Sequence, residues 1–162
     1  LDSEGLLKYI TEEYKDKIID SGIVGGVATI EVKPGDWESI AEYLKGDMET
    51  RFLSVSNYGA VDYREKLGGY QLVITLFSYE FNHKLTMKTL LPAEGEECPE
   101  IKTLSAVWPV ADWFERETAE LFGIVFVGHP DPRHLMLDED WDGEYPMRRG
   151  WSGRDFITKP DK

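Results

Sequence analysis

Cysteine is nearly missing: Cys98 is the only one in 162 residues. A lone thiol closes no internal disulfide and falls short of the ligand sets of iron–sulfur clusters and structural zinc, so the chain suits a reducing compartment. Side-chain amides are scarce too, with Asn57, Asn82 and Gln71 set against 30% charged residues, a bias that points to a heat-adapted source. Basic residues are outnumbered, 18 to 31, which leaves a formal net charge of −13. That balance argues against gripping nucleic acid or anionic lipid, both of which need clustered Lys and Arg. No apolar run approaches the about 20 residues of a membrane-crossing helix, and the stretch from Leu1 to Asp20 is too charged for a secretory signal. If a membrane matters, another subunit reaches it. The chain begins at Leu1 rather than Met, so the natural start is expected to be missing or processed. GxGxxG, GxxxxGK[ST], CxxC and HExxH are all lacking, which removes the usual scaffolds for nucleotide, cluster and zinc-hydrolase chemistry.

What remains is 41% apolar and 12% aromatic, enough for one core. Ser3 is placed to cap a helix carrying Leu6, Leu7, Ile10 and Tyr14, which runs into a break at Ser21-Gly22 and Gly25-Gly26. Val27 to Val32 reads as a strand and Pro34-Gly35 as a turn. Asp36 reads as the cap of a short helix with Trp37, Ile40 and Leu44 on one face, ended by Gly46. Further strands are expected over Arg51 to Tyr58, Gly69 to Tyr79 and His83 to Leu91. The last points Leu85, Met87 and Leu91 one way and Lys84, Thr86 and Lys88 the other, with a hairpin turn at Phe81-Asn82. Pro92 to Glu100 reads as an acidic loop whose Glu94, Glu96, Glu97 and Glu100 discourage thiolate chemistry at Cys98. The order predicts an α+β fold, a small mixed sheet covered by helices. Residues 1–127 form the α+β domain, and 128–162 form a long irregular C-terminal arm whose Trp141, Tyr145, Trp151 and Phe156 call for a surface.

Between them lies a helix over Val110 to Phe122, preceded by Pro109 and stopped by Gly123. At about 100° per residue, Val110, Trp113, Phe114 and Leu121 share one arc. Glu117 falls in the middle of that arc, flanked by Glu115 and Arg116. Burying that charge unpaired is costly, so Glu117 is expected to be protonated, hydrogen-bonded or matched to a cation such as Arg133, Arg148 or Arg149. Glu115, Glu117 and Glu120 also offer acid and base groups, but they point at different angles and no nucleophile accompanies them. His129, Asp131 and His134 form a drawable metal triad, although their spacing in a proline-rich loop favours a structural role. Asp138, Asp140, Asp142 and Gly143 repeat the first half of a calcium loop, yet Arg149 stands where that loop needs a glutamate.

The run Glu115-Arg116-Glu117-Thr118-Ala119-Glu120-Leu121-Phe122, followed by His129, Arg133 and Leu135-Met136, resembles the thirty-kilodalton subunit family of respiratory complex I. The lead-in Trp108-Pro109-Val110-Ala111-Asp112-Trp113-Phe114 is similar to that family's W-P-x-A-x-W. The resemblance implies a non-catalytic subunit of the hydrophilic arm, on the cytoplasmic side of the membrane, with no cofactor and no active site of its own. Its implied partners are a hydrogenase-type large subunit, an iron–sulfur small subunit and antiporter-like membrane subunits, with nickel–iron and iron–sulfur centres held by the partners. Glu115, Arg116, Glu117 and Glu120 would organise the helix and its docking face. His129, Pro130, Asp131 and Arg133 would shape the following loop, and Arg148 and Arg149 would lie on the arm. Pro132 and His134 depart from the more usual L-R-R, and the tail from Tyr145 only loosely follows H-P-L-R-K-D-F-P. These departures tilt the resemblance toward an archaeal membrane-bound hydrogenase or its sulfur-reducing relative. The alternatives are a subunit of an NADH or other quinone-reducing dehydrogenase, a free-standing hydrolase or metal-dependent enzyme, and a stand-alone calcium- or metal-binding module.

Overall fold

The structure is a computed structural model that describes residues 1–95, 97–141 and 143–153. Helix α1 (Ser3–Glu13) leads into strands β1 (Ile18–Val24) and β2 (Val27–Val32). A 3-10 turn at Pro34–Asp36 and helix α2 (Trp37–Gly46) come next. Strand β3 (Ser54–Asp62), the short helix α3 (Arg64–Leu67), β4 (Gly69–Ser78) and β5 (His83–Pro92) complete the main sheet. Then come β6 (Glu100–Lys102), α4 (Ala111–Phe122) and β7 (Val125–Val127). The five-stranded sheet has the order β1-β2-β5-β4-β3, while β6 and β7 pair separately as a parallel two-stranded sheet. The α+β expectation holds, and β3-β4-β5 is the expected meander. What the pattern did not show is the parallel pairing of β2 with β5, which docks the N-terminal hairpin onto that meander.

Strict alternation makes β4 and β5 the centre. Tyr70, Leu72, Ile74 and Leu76 of β4 and Leu85 and Met87 of β5 are fully buried. They pack with Leu6 and Ile10 of α1 and Trp37, Ile40, Ala41 and Leu44 of α2. The intervening residues line the opposite face, where Lys88 pairs with Glu31 at 3.1 Å and Thr75 lies 3.4 Å from Thr86. The Phe81-Asn82 turn forms as expected, with Asn82 in the left-handed region at φ 49.

Several local expectations shift. Asp2, not Ser3, caps α1: its Oδ1 accepts the Gly5 N–H at 2.8 Å, and the Ser3 hydroxyl donates instead to the Gly26 carbonyl. Ser21-Gly22 is no break but the middle of β1, an edge strand so exposed that it carries no period to read. The turn proper is Gly25-Gly26, whose φ values of 57 and 80 suit a two-residue hairpin of the primed type. The strand expected over Arg51 to Tyr58 runs over Ser54–Asp62, because Arg51 itself takes φ 42. Asp36 caps nothing with its side chain and lies 3.8 Å from Lys17. Among the described residues no helix is long and apolar enough to cross a membrane.

Because Ile74 is fully enclosed while its neighbour Thr75 faces the open side, their truncations separate core from surface. Ile74→Ala is expected to lower the urea-unfolding free energy by about 2–5 kcal/mol, and Thr75→Ala by less than about 1 kcal/mol.

Candidate functional site

Helix α4 crosses β3 and is stopped at Gly123, which takes φ 78. A Cβ there would fall 2.5 Å from the Arg148 guanidinium and 2.7 Å from the Tyr145 ring, so only glycine fits. The face that α4 turns to the sheet carries Ala111, Glu115, Thr118 and Phe122, all buried. This corrects the expectation built on apolar spacing. Val110 and Trp113 are 44% and 57% exposed, and Glu117 is only half-buried. The carboxylate that enters the core is Glu115. The reason is that a hydrogen-bonded acid can occupy an interior face that residue counting assigns to apolar side chains.

Glu115 is wholly shielded from water. Its Oε1 accepts the Leu104 N–H at 2.7 Å and the Tyr58 hydroxyl at 3.2 Å, and its Oε2 accepts the Thr103 hydroxyl. Burial pushes the Glu115 carboxyl above its ordinary range, against the opposing pull of these donors and of His129. Burial and the adjacent Glu115 likewise drive the Tyr58 hydroxyl well upward. The His129 ring stands 3.9 Å from Glu115 Oε2. Its Nδ1 accepts the Asp131 N–H, which leaves the proton on Nε2 to be donated to the Asp112 carbonyl, each at 3.1 Å.

The opposite side of α4 faces the arm. Arg116 donates to the carbonyls of Arg133 and His134, both at 2.9 Å, and stacks on Trp113. Glu120 accepts the backbone N–H groups of Leu135, Met136 and Leu137. Asp131 and Arg133 form a two-pronged pair at 2.7 Å, and the guanidinium holds the Asp131 carboxyl below its usual range. Pro130 beside it is exposed. Between α4 and the arm lies a cleft of about 270 Å³ whose walls include Ala119, Ile124, Phe126 and Tyr145.

None of the three arginines expected to serve Glu117 does so. Arg133 engages Asp131; Arg148, stacked on Tyr145, donates to the carbonyls of Phe122 and Glu97. Arg149 gives its backbone N–H to Asp62 at 2.8 Å and sets its side chain 3.9 Å from Glu65. Cys98 is exposed, with Sγ 3.4 Å from Arg148 and 3.5 Å from the Tyr145 hydroxyl. Among the described residues, no three of His, Cys, Asp and Glu are gathered to hold a metal. His129 is committed as above, and His134 Nδ1 lies 3.0 Å from the Asp138 carbonyl. Asp138 and Asp140 are exposed, while Asp142 and Glu96, like Phe156, lie outside the described residues.

Sequence reasoning missed Asp62, Tyr58 and Thr103. Asp62 binds Arg64 through both carboxylate oxygens as well as the Arg149 N–H, 87 positions away, a separation that no local pattern bridges. Burial raises the Asp62 carboxyl, but Arg64 and the two backbone donors outweigh it and hold it at about 2.

Removing the Glu115 acceptor orphans buried donors, so Glu115→Ala is expected to cost at least about 3 kcal/mol in urea unfolding, with Glu115→Gln milder. Asp62 titrates lower in the folded than in the unfolded chain. Its contribution is therefore present above an unfolded carboxyl value of about 3.9 and lost as pH falls through about 2. The stability gap between the native chain and Asp62→Asn is expected to be widest near neutrality and to close over that acidic window.

The sequence model of the respiratory-chain NADH dehydrogenase 30 kDa subunit matches residues 30–156. An NADH-quinone oxidoreductase subunit from Roseiflexus castenholzii is 31% identical over 149 residues, covering 92% of this chain and 83% of that protein. NADH-ubiquinone oxidoreductase subunit 9 of Reclinomonas americana is 34% identical over 134 residues, covering 82% of this chain and 63% of that one. The fold is shared with a chain in the structure of the membrane-bound sulfane sulfur reductase, an archaeal respiratory membrane complex. That match has a TM-score of 0.73 and 23% identity, over 90% of this chain and 82% of the other. With its glutamate–arginine–glutamate helix built into the fold in this way, the chain belongs to the 30 kDa subunit family of respiratory-chain NADH dehydrogenase.

Proposed function

We propose that this chain is a non-catalytic subunit in the peripheral arm of a membrane-bound, ion-translocating oxidoreductase of the complex I type. It scaffolds a hydrogenase-type large subunit on the cytoplasmic side, and the nickel–iron and iron–sulfur centres belong to its partners. The observation that carries this reading is how three of the motif's four charges, those of Glu115, Arg116 and Glu120, are spent. Glu115 serves Leu104, Tyr58 and Thr103, Arg116 serves two carbonyls, and Glu120 serves three backbone amides. Side chains consumed in building their own domain leave a shaped surface rather than a reacting centre.

A membrane-bound nickel–iron hydrogenase or a related sulfur-reducing complex is the assembly we favour. The fold shared with a chain of the archaeal sulfane sulfur reductase and the charge-rich, amide-poor composition of heat-adapted proteins both support it. The second reading is a subunit of an NADH or other quinone-reducing dehydrogenase, favoured by the identity to the NADH-quinone oxidoreductase protein of Roseiflexus castenholzii.

The test is to tag the chain in its native host, solubilise membranes gently and identify the co-purifying proteins by mass spectrometry. Our reading expects a large subunit of hydrogenase type, an iron–sulfur small subunit and antiporter-like membrane proteins. Nickel in stoichiometric amount selects a hydrogenase, and its absence beside a flavin-containing NADH module selects the dehydrogenase. Recovery of the chain alone would overturn both.

A further inference from the structure

We propose that Asp131 to Leu137 form a releasable strap, held closed on α4 by a clasp of Arg116 and Glu120, and that the strap opens while the sheet stays folded. The two clasp residues stand one helical turn apart on the side of α4 turned away from the sheet. The guanidinium takes the carbonyls of Arg133 and His134. The carboxylate takes the next N–H groups in order, those of Leu135 at 2.9 Å, Met136 at 2.8 Å and Leu137 at 3.3 Å. A cation thus holds the acceptors of one stretch of backbone and an anion holds the donors of the stretch that follows. The hydrogen bonds of the grip read main chain alone, and the one strap side chain that the clasp also meets is Asp131, 3.8 Å from Arg116.

Among the described residues, little else holds this segment. No residue from Asp131 to Leu137 is buried, Met136 is 65% exposed, and the Arg133 side chain is 80% exposed. The Asp131–Arg133 pair lies within the strap and travels with it, and Arg116 reaches Asp131 only at 3.8 Å.

The flanks differ. Upstream, the His129 ring is 4% exposed and hydrogen-bonded at both nitrogens; downstream, Arg148 is buried against the Phe122 carbonyl. Opening the strap therefore breaks the hydrogen bonds to Arg116 and Glu120, and at its root that of the Asp131 N–H to His129, and widens the cleft over Ala119, Ile124 and Phe126. Opening β4 from β5 would instead expose Leu72, Ile74, Leu76, Leu85 and Met87. Segments with few buried apolar contacts open at lower free energy than the core.

Amide hydrogen exchange on the full chain alone tests this. The Leu135 to Leu137 amides are expected to be protected, yet to open at least about tenfold faster than those of Leu72 to Leu76. Glu120→Ala is expected to speed strap exchange by about tenfold and leave the β4–β5 amides unchanged. Glu120→Gln, which keeps one acceptor oxygen, should fall between and serves if the alanine variant does not fold. Arg116→Lys, unable to hold two carbonyls in a fork, should loosen the strap in the same selective way. Unprotected strap amides in the native chain, indifference to both Glu120 variants, or acceleration shared equally by strap and sheet would each overturn the proposal. Since no partner is present, such a failure leaves the subunit reading untouched.

Discussion

A carboxylate withdrawn from water must find its hydrogen bonds inside the protein, and Glu115 finds them on separate pieces of chain. Tyr58 comes from β3, and Thr103 and Leu104 from the segment after β6, while His129 stands close by at the root of the arm. Each of these groups would be costly to bury without the acid, and the acid would be costly without them. The constraint is mutual, so it fixes where α4 sits on the sheet and where the arm departs. Gly123 enforces the same placement from the other end of the helix, because the Arg148 and Tyr145 side chains occupy the space that a Cβ would need.

Helix α4 is polar on two sides for two different reasons. Toward the sheet, Glu115 gathers side-chain and backbone donors into the core. Toward the arm, Arg116 and Glu120 satisfy main-chain groups of a segment that has no ladder of its own. The arm is thereby laid along the helix by hydrogen bonding rather than by apolar burial. Its exposed side chains, Arg133 and Met136 among them, are left facing outward. For a subunit read as a scaffold, this division makes sense of a motif dense in charge but poor in free functional groups.

Much of the main sheet was legible because β4 and β5 alternate without interruption, and a period of two survives burial on one face. The edge strand β1 was not, since exposure on both sides erases that period. For α4 the sequence marked the helix, its proline lead-in and its glycine stop. The choice of Glu117 as the inward acid failed because the apolar stripe through Val110 and Trp113 lies on the outside. Strands β6 and β7 are too short to announce themselves and exist by pairing with each other.

Composition and local spacing by themselves pointed to the class of fold and the position of helix α4, while the 30 kDa subunit family entered through the resemblance of the run from Glu115 to Phe122. These follow from period, propensity and residue identity within a few turns of chain. Only the tertiary structure decided which glutamate is buried, which arginine meets which acid, and that Asp62 receives the backbone of Arg149. Hydrogen-bond partners distant in sequence are chosen by the packing of whole elements, and that choice leaves no trace in the spacing of either partner.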